Sequence, residues 1–323
     1  MLNRRFLRIK AMQSLYAFFQ TENDNIKNGE KELLKTISKI YDLYLYQLSL
    51  LVELASIAER TIEDAKFKHL PRKEDTNPNT KFIDNRFLKQ IAVNNSFITE
   101  TNNRSISWSN EQELVKKIYS IIKTSDEYKT YMDSNKNTYT SDKEIILKLY
   151  KNYIGDFPDL LNFYEGRSIF WVDDIEAAHL LVLKTFKLFN ENSDENTALS
   201  PLFDDAPVGK DTLSEDRQFV IDLFRKTIIN NRNFETLISE KAKNWDIERI
   251  AMIDILLMKM ALCEITEFQT IPIKVTLNEY IELSKIYSSS KSKIFINGIL
   301  DKMVAEMKQQ GLIKKIGRGL IEE

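Results

Sequence analysis

"KIFINGILDKM", residues 293–303, reads in two opposed ways. Asn297-Gly298 between apolar runs is a hairpin signal, because both residue types tolerate positive φ. Yet Phe295, Ile299, Met303 and Met307 recur every four residues, with Ile296, Leu300 and Val304 beside them, and no strict alternation flanks the pair. The apolar period runs through the Asn-Gly pair unbroken. A helix is therefore expected here, and the rest of the chain is read outward from it.

Composition points the same way. Eight glycines and six prolines in 323 residues leave few of the turns that a sheet needs, so the expected class is all-α. A chain of this length can bury a sizeable core and has room for two domains. The single cysteine, Cys263, excludes an internal disulfide framework and any multi-cysteine zinc or iron–sulfur site, as expected of a reducing cytoplasm; it reads as a small buried apolar residue. The N-terminal stretch "MLNRRFLRIKAMQSLYAFFQ" lacks the pattern of a secretory signal. The most apolar run, residues 250–265, is too short to span a bilayer and is interrupted by Asp254, Lys259 and Glu264, so it reads as a buried core helix of a soluble protein.

Formal net charge is −2, so any nucleic-acid surface must be local. Arg4, Arg5, Arg8 and Lys10 crowd the first turns of a helix expected over about 3–20, where the helix dipole disfavours cations. Charges placed against the dipole suggest a role outside the helix, such as binding phosphate. Residues 190–216 are dominated by Asp and Glu, an asymmetry that bears on partners. A long helix is expected over about 30–68, then further helices over about 82–94, 108–131, 141–153, 157–165 and 169–190. Ser109 with Gln112, Ser141 with Glu144 and Thr212 with Glu215 have capping-box spacing. Residues 190–211 look like the main boundary of the chain. Beyond it come a helix carrying Phe219, Leu223, Ile228 and Leu237, one over about 246–267, one opened by Pro272, and the helix quoted at the start.

"RRFLRIKAMQSLY", "WDIERIAMIDILLMKMALCEI", "IPIKVTLNEYIELSKIY" and "SKIFINGILDK", in that order, resemble the NusB transcription antitermination family, and its long-insert form found among Bacteroidetes-type members. The resemblance covers residues 1–22 and about 212–310. It implies a NusB-like helical bundle made of residues 1–24 and 212–323, with residues 25–211 as a helical insertion ending in an acidic linker. It further implies a non-enzymatic cytoplasmic factor that needs no cofactor or metal. Such a factor binds boxA-type leader RNA together with ribosomal protein NusE, and joins NusA, NusG and RNA polymerase to suppress termination, notably in ribosomal RNA operons. No membrane contact is implied, and a homodimer stays open because some NusB-like proteins self-associate.

Carried over by position, the family's arginine-rich surface falls on Arg4, Arg5 and Arg8, with Lys10 beside them. The loop before the last helix adds Ser290, Lys291, Ser292, Lys293 and Phe295. Tyr16 and Asp254 match partner-facing positions. Arginine pairs bidentately with phosphate, and unpaired bases are read by stacking and edge hydrogen bonds; Phe295 and Tyr16, on amphipathic helices, are also natural core residues. Three departures stand out: Phe6 where the family often has a basic residue, "SSSKS" where it has a partly acidic loop, and Ile255 where it commonly has a base. His69 and His179 lack metal-spaced partners, and no Walker, G-x-G-x-x-G or G-x-S-x-G motif is present. A protein-binding helical scaffold, or a NusB-like part of an RNA methyltransferase system, are the alternatives. Within the family's "FvNG" pattern, Gly298 reads as a point where another helix backbone comes close, and Asn297 as a hydrogen-bonding residue at the helix start or neighbouring loop.

Overall fold

The computed structural model describes residues 2–21, 25–67, 77–203, 214–242, 251–289 and 291–320. All regular structure among them is helical: α1 Arg4–Gln20, α2 Ile26–Lys66, α3 Arg86–Ala92, α4 Asn95–Asn103, α5 Gln112–Thr124, α6 Asp126–Asp133, α7 Tyr139–Leu149, α8 Pro158–Arg167, α9 Ile175–Leu188, α10 Glu215–Ile229, α11 Asn231–Lys241, α12 Met252–Glu267, α13 Ile273–Tyr287 and α14 Ser292–Gln309. The expected class holds. Residues 3–37 and 203–323 form one compact unit, and residues 1–2 with 38–202 form a second; α2 gives its first turns to one and its remainder to the other.

In the unit of residues 3–37 and 203–323, α1 packs on α10 and α12, α12 packs on α13 and α14, and α13 forms a hairpin with α14. Asn3 starts α1 by accepting a hydrogen bond from the Phe6 amide, which satisfies one of the free donors at the helix start. Leu7, Met12 and Leu15 of α1 are buried with Leu223 and Phe224 of α10, Leu257, Met260 and Leu262 of α12, and Ile296, Leu300 and Met303 of α14. Each such side chain contributes roughly 1.5–3 kcal/mol by leaving water. α12 is mostly apolar and buried over nearly its whole length, with Asp254, Lys259 and Glu264 buried among its apolar residues, as the sequence of residues 250–265 suggests.

The close approach of helices falls at a different glycine from the one expected. A Cβ on Gly298 would meet nothing within 4 Å, and the residue is exposed on the outer side of α14. Asn297 donates to Asp301 Oδ2 at 2.8 Å, one turn onward in the same helix, not to the helix start or the loop. Gly29 is the tight one: a Cβ there would lie 2.7 Å from Phe224 Cζ and 3.1 Å from Phe18 Cδ2. Its lack of a side chain lets the first turns of α2 sit against those rings.

In the unit of residues 38–202, the buried face of α2 supplies Tyr44, Leu45, Leu48 and Leu51. Tyr44 Oη lies 2.6 Å from Thr185 Oγ1 on α9, Tyr150 Oη donates to Gln47 Oε1 at 2.7 Å, and Trp108 Nε1 donates to the Tyr46 carbonyl at 3.2 Å. Tyr46, Trp108 and Phe163 stack edge and tilt around one another. By length and composition α2 could cross a membrane, but 67% of its apolar window is buried inside the fold, as in a core helix.

Several helix ends differ from the sequence expectation. The stretch expected as one helix over 108–131 is a 3-10 turn followed by α5 and α6. Ser125 breaks it by adopting an extended backbone and capping Tyr128, a local hydrogen bond that competes with helix continuation. The Ser109–Gln112 box is absent, because Ser109 Oγ bonds Ser107 Oγ and Gln112 bonds Glu53 and the Trp108 carbonyl. Thr138, not Ser141, caps α7. Ser214 caps α10; Thr212 and His69 lie outside the described residues. The helix carrying Phe219 to Leu237 is two, α10 and α11, and the segment over 95–103 that had no expected helix is α4.

Candidate nucleic-acid interface

The first turns of α1 carry four cations, and the fold treats them in two ways. Arg8 is buried, 3% exposed, and its Nε and Nη2 donate to Glu264 Oε2 and Oε1 at 2.8 and 2.7 Å. Glu264 is fully buried on α12 and also accepts from Thr276 Oγ1 at 2.8 Å and Tyr280 Oη at 3.2 Å. Burial works against the charge on Arg8, but the Glu264 pair outweighs it and raises the guanidinium above its ordinary value. Lys10 is likewise buried. These two are held in the core.

Arg4 and Arg5 stay at the surface. Arg4 donates to Asp216 Oδ1 at 2.9 Å and Glu215 Oε1 at 2.5 Å, so the end of the acidic segment, at the first turn of α10, faces the basic start of α1. The Phe219 ring lies 5.0 Å from the Arg4 guanidinium and 5.4 Å from that of Arg8, close enough for cation–π attraction. Arg5 makes a bidentate pair with Glu279 on α13 at 2.9 and 3.0 Å. This is how the charges unsuited to the α1 dipole are compensated: acids on α10 and α13 supply what the helix start lacks.

Glu282 lies one turn beyond Glu279 on α13 and pairs with Lys285 of the same helix. Its carboxyl is held below the usual range first by a hydrogen bond from Lys285, with further attraction from Arg5 and Lys293. Arg5 itself is engaged one turn earlier, by Glu279. Lys291 and Lys293 are exposed. Ser292 is buried, its Oγ within 2.9 Å of Ser288 Oγ and 2.8 Å of Ser289 Oγ, so it closes the loop on itself; Ser290 lies outside the described residues. Phe295 is buried on the core side of α14.

Of the two partner-facing positions, Tyr16 is 40% exposed on α1. Gln20, one turn along the same face, donates to Met252 Sδ at 3.0 Å, which brings that corner of α1 to the first turn of α12. Asp254 stands in that turn, where an acid suits the helix dipole. It is only 4% exposed, and its Oδ1 has no hydrogen-bond partner among the described residues. An acid on a solvated helix face is therefore not what the structure holds there.

Sequence reasoning did not find Glu264, Glu279 or Glu282. Glu264 had a signal, an acid inside an otherwise apolar helix, which in a buried position requires a cation. Glu279 and Glu282 had only helical spacing and could not be paired with α1 without the fold.

Residues 177–305 match the model of the NusB family. The match begins on α9, ahead of the expected start at 212, and does not include α1. The chain is 41% identical over 105 residues to a transcription antitermination protein NusB of Salinibacter ruber, covering 32% of this chain and 66% of that protein. It is 40% identical over 106 residues to that of Chloroherpeton thalassium, 33% of this chain and 50% of that one, and 34% identical over 99 residues to that of Alkaliphilus oremlandii, 31% and 70%. The match therefore spans only half to seven tenths of these relatives, and about a third of this chain. No solved structure matches the chain at comparable significance.

Proposed function

The chain belongs to the NusB family, and from that premise we propose that it is a non-enzymatic, cytoplasmic transcription antitermination factor. It binds boxA-type leader RNA with ribosomal protein NusE and, with NusA, NusG and RNA polymerase, promotes read-through of terminators, notably in ribosomal RNA operons. Residues 1–24 and 212–323 are the proposed RNA- and partner-binding domain, and 25–211 an insertion. The RNA reading is carried by the cations that flank α13, which we read as one exposed patch: Arg5 of α1 is paired with Glu279, Lys285 with Glu282, and the exposed Lys293 opens α14, which packs on α13. Lys291 extends it along the loop, and Arg4 adjoins it on α1.

RNA phosphate competes with Glu279 and Glu282 for these cations, which is feasible because exposed ion pairs are worth only about 0–1 kcal/mol. Arg8, Lys10, Ser292 and Phe295 act from beneath, by setting the position of α1 and of the loop. Tyr16 and the adjoining first turn of α12 are the proposed NusE face.

The test is titration of a fluorescent boxA-type RNA, with and without NusE, across a salt series. Arg5→Ala and Lys293→Ala should each weaken binding and make the slope of log affinity against log salt shallower by roughly 0.7, the value for one phosphate contact on a single strand. Tyr16→Ala should weaken only the NusE-dependent part. RNA affinity unchanged in both cation variants would overturn the assigned surface, and binding to neither RNA nor NusE would favour the scaffold reading.

A further inference from the structure

The α13–α14 hairpin has a second candidate surface at the end opposite the 288–291 loop. The first turns of α13, the last turns of α14 and the chain that follows enclose a groove of about 830 Å³. Leu277, Val304, Ile313 and Leu320 give it apolar walls. Lys274, Lys308 and Lys314 stand around them, and Asp301, the one acid among the described lining residues, is engaged by Asn297. Neither Lys274 nor Lys314 forms an ion pair with a described residue.

The third wall is built into the fold. Lys315 Nζ donates to the Phe268 carbonyl at 2.8 Å, and the Ile316 amide donates to the Gln269 carbonyl at 3.0 Å. Gly319 comes so close to the same turn that a Cβ would lie 2.0 Å from Gln269 O. Gly311 and Gly317 take positive φ, +66° and +54°, the conformations that let the chain reverse after α14 and return to α12. The segment after α14 is thus fastened to the end of α12, and Leu320 is left 64% exposed over the groove.

An apolar trough edged by like charges fits one kind of occupant. Helix-in-groove recognition places apolar anchors at i, i+3, i+4 and i+7 on the floor while the helix flanks meet the rim. A lysine rim selects acidic flanks. Single-stranded RNA fits less well, because it gains its affinity by stacking bases on aromatic rings, and no aromatic residue lines the groove among the described residues. We propose that this groove docks an acidic amphipathic helix of a partner protein, with its apolar residues on Leu277, Val304, Ile313 and Leu320 and its carboxylates on Lys274, Lys308 and Lys314. The proposal does not depend on the RNA reading, which uses the other end of the hairpin.

The probe is a fluorescein-labelled helical peptide with leucines at i, i+3, i+4 and i+7 and glutamates elsewhere, titrated against the full chain by anisotropy. Controls carry lysine for glutamate, or serine for leucine. Binding of the leucine–glutamate peptide should exceed both controls by at least about tenfold and weaken with salt. The double variant Lys274→Glu, Lys314→Glu and the single variant Leu320→Asp, both surface changes, should each lose about tenfold or more, with Cys263 still protected from thiol reagents as a check on the fold. Equal binding of either control peptide, or unchanged affinity in both variants, overturns the proposal. So does displacement of the peptide by boxA-type RNA, binding only after residues 321–323 are removed, or self-association of the chain that Leu320→Asp abolishes; these assign the groove to RNA, to the chain itself or to a second copy.

Discussion

Replacing Glu264 by Gln keeps the shape of the side chain but removes the charge that Arg8 meets in the core. Arg8 and Glu264 are 3% and 0% exposed, so Arg8 is left as a buried cation without its main counter-charge. The nearest remaining acid oxygen, Glu279 Oε2, is 3.6 Å from Arg8 Nη1. Breaking a buried pair by removing one partner costs about 3–5 kcal/mol. Gln can still accept from Thr276 or Tyr280, so the loss is chiefly electrostatic.

Cys263 adjoins Glu264 and is the only thiol. Burial pushes its pKa up to about 12, and its reaction with a disulfide reagent reports opening of this unit specifically. With tenfold per 1.4 kcal/mol, the cost corresponds to labelling roughly a hundred- to several-thousand-fold faster in Glu264→Gln. The paired change Arg8→Met with Glu264→Met should restore slow labelling, since apolar replacement of a buried pair is often neutral or stabilising. Labelling of Glu264→Gln within about threefold of the parent, or a double variant as labile as the single one, would refute the view that this pair holds α1 to α12.

Three further outcomes follow from the same geometry. Gly29→Ala should destabilise by about 1–3 kcal/mol in urea unfolding because its Cβ meets Phe224, whereas Gly298→Ala, on an open helix surface, should stabilise by up to about 1 kcal/mol. Arg5→Ala, which removes an exposed pair, should change the urea midpoint little, by no more than about 1 kcal/mol, so that any loss of RNA affinity is not a folding defect. Partial burial lowers Lys315 from 10.5 to about 8, so the unfolded chain binds more protons at this site between about pH 8 and 10.5 and stability gains a term that rises with pH there; the rise should be smaller in Lys315→Met, and an identical pH profile for the two proteins would count against the half-buried amine.

Much of the fold was open to reading along the chain. Sparse glycine and proline, and an apolar period of 3.6 that ran through Asn297-Gly298, were enough for an all-α class and for most helices, because helix formation depends on neighbours three and four residues away. Helix ends were less legible. Thr138 and Ser141 have the same chemistry and lie one turn apart, and which of them caps α7 depends on where packing lets the helix begin. Ser125 breaks a stretch whose apolar period continues on both sides.

The basic start of α1 shows the division most clearly. The sequence by itself determined that Arg4, Arg5, Arg8 and Lys10 sit together in a helix with no local acid, and that this arrangement opposes the dipole. Only the tertiary structure decided their separate fates: Arg8 turned inward to Glu264, Arg4 set against Glu215 and Asp216, Arg5 left at the surface beside Glu279. The two glycines divide in the same way, since Gly29 and Gly298 are both set in helices and only the position of the Phe224 ring distinguishes them. Spacing along the chain records which residues share a turn. Burial and pairing at these positions depend on residues about two hundred or more positions away, brought close by packing.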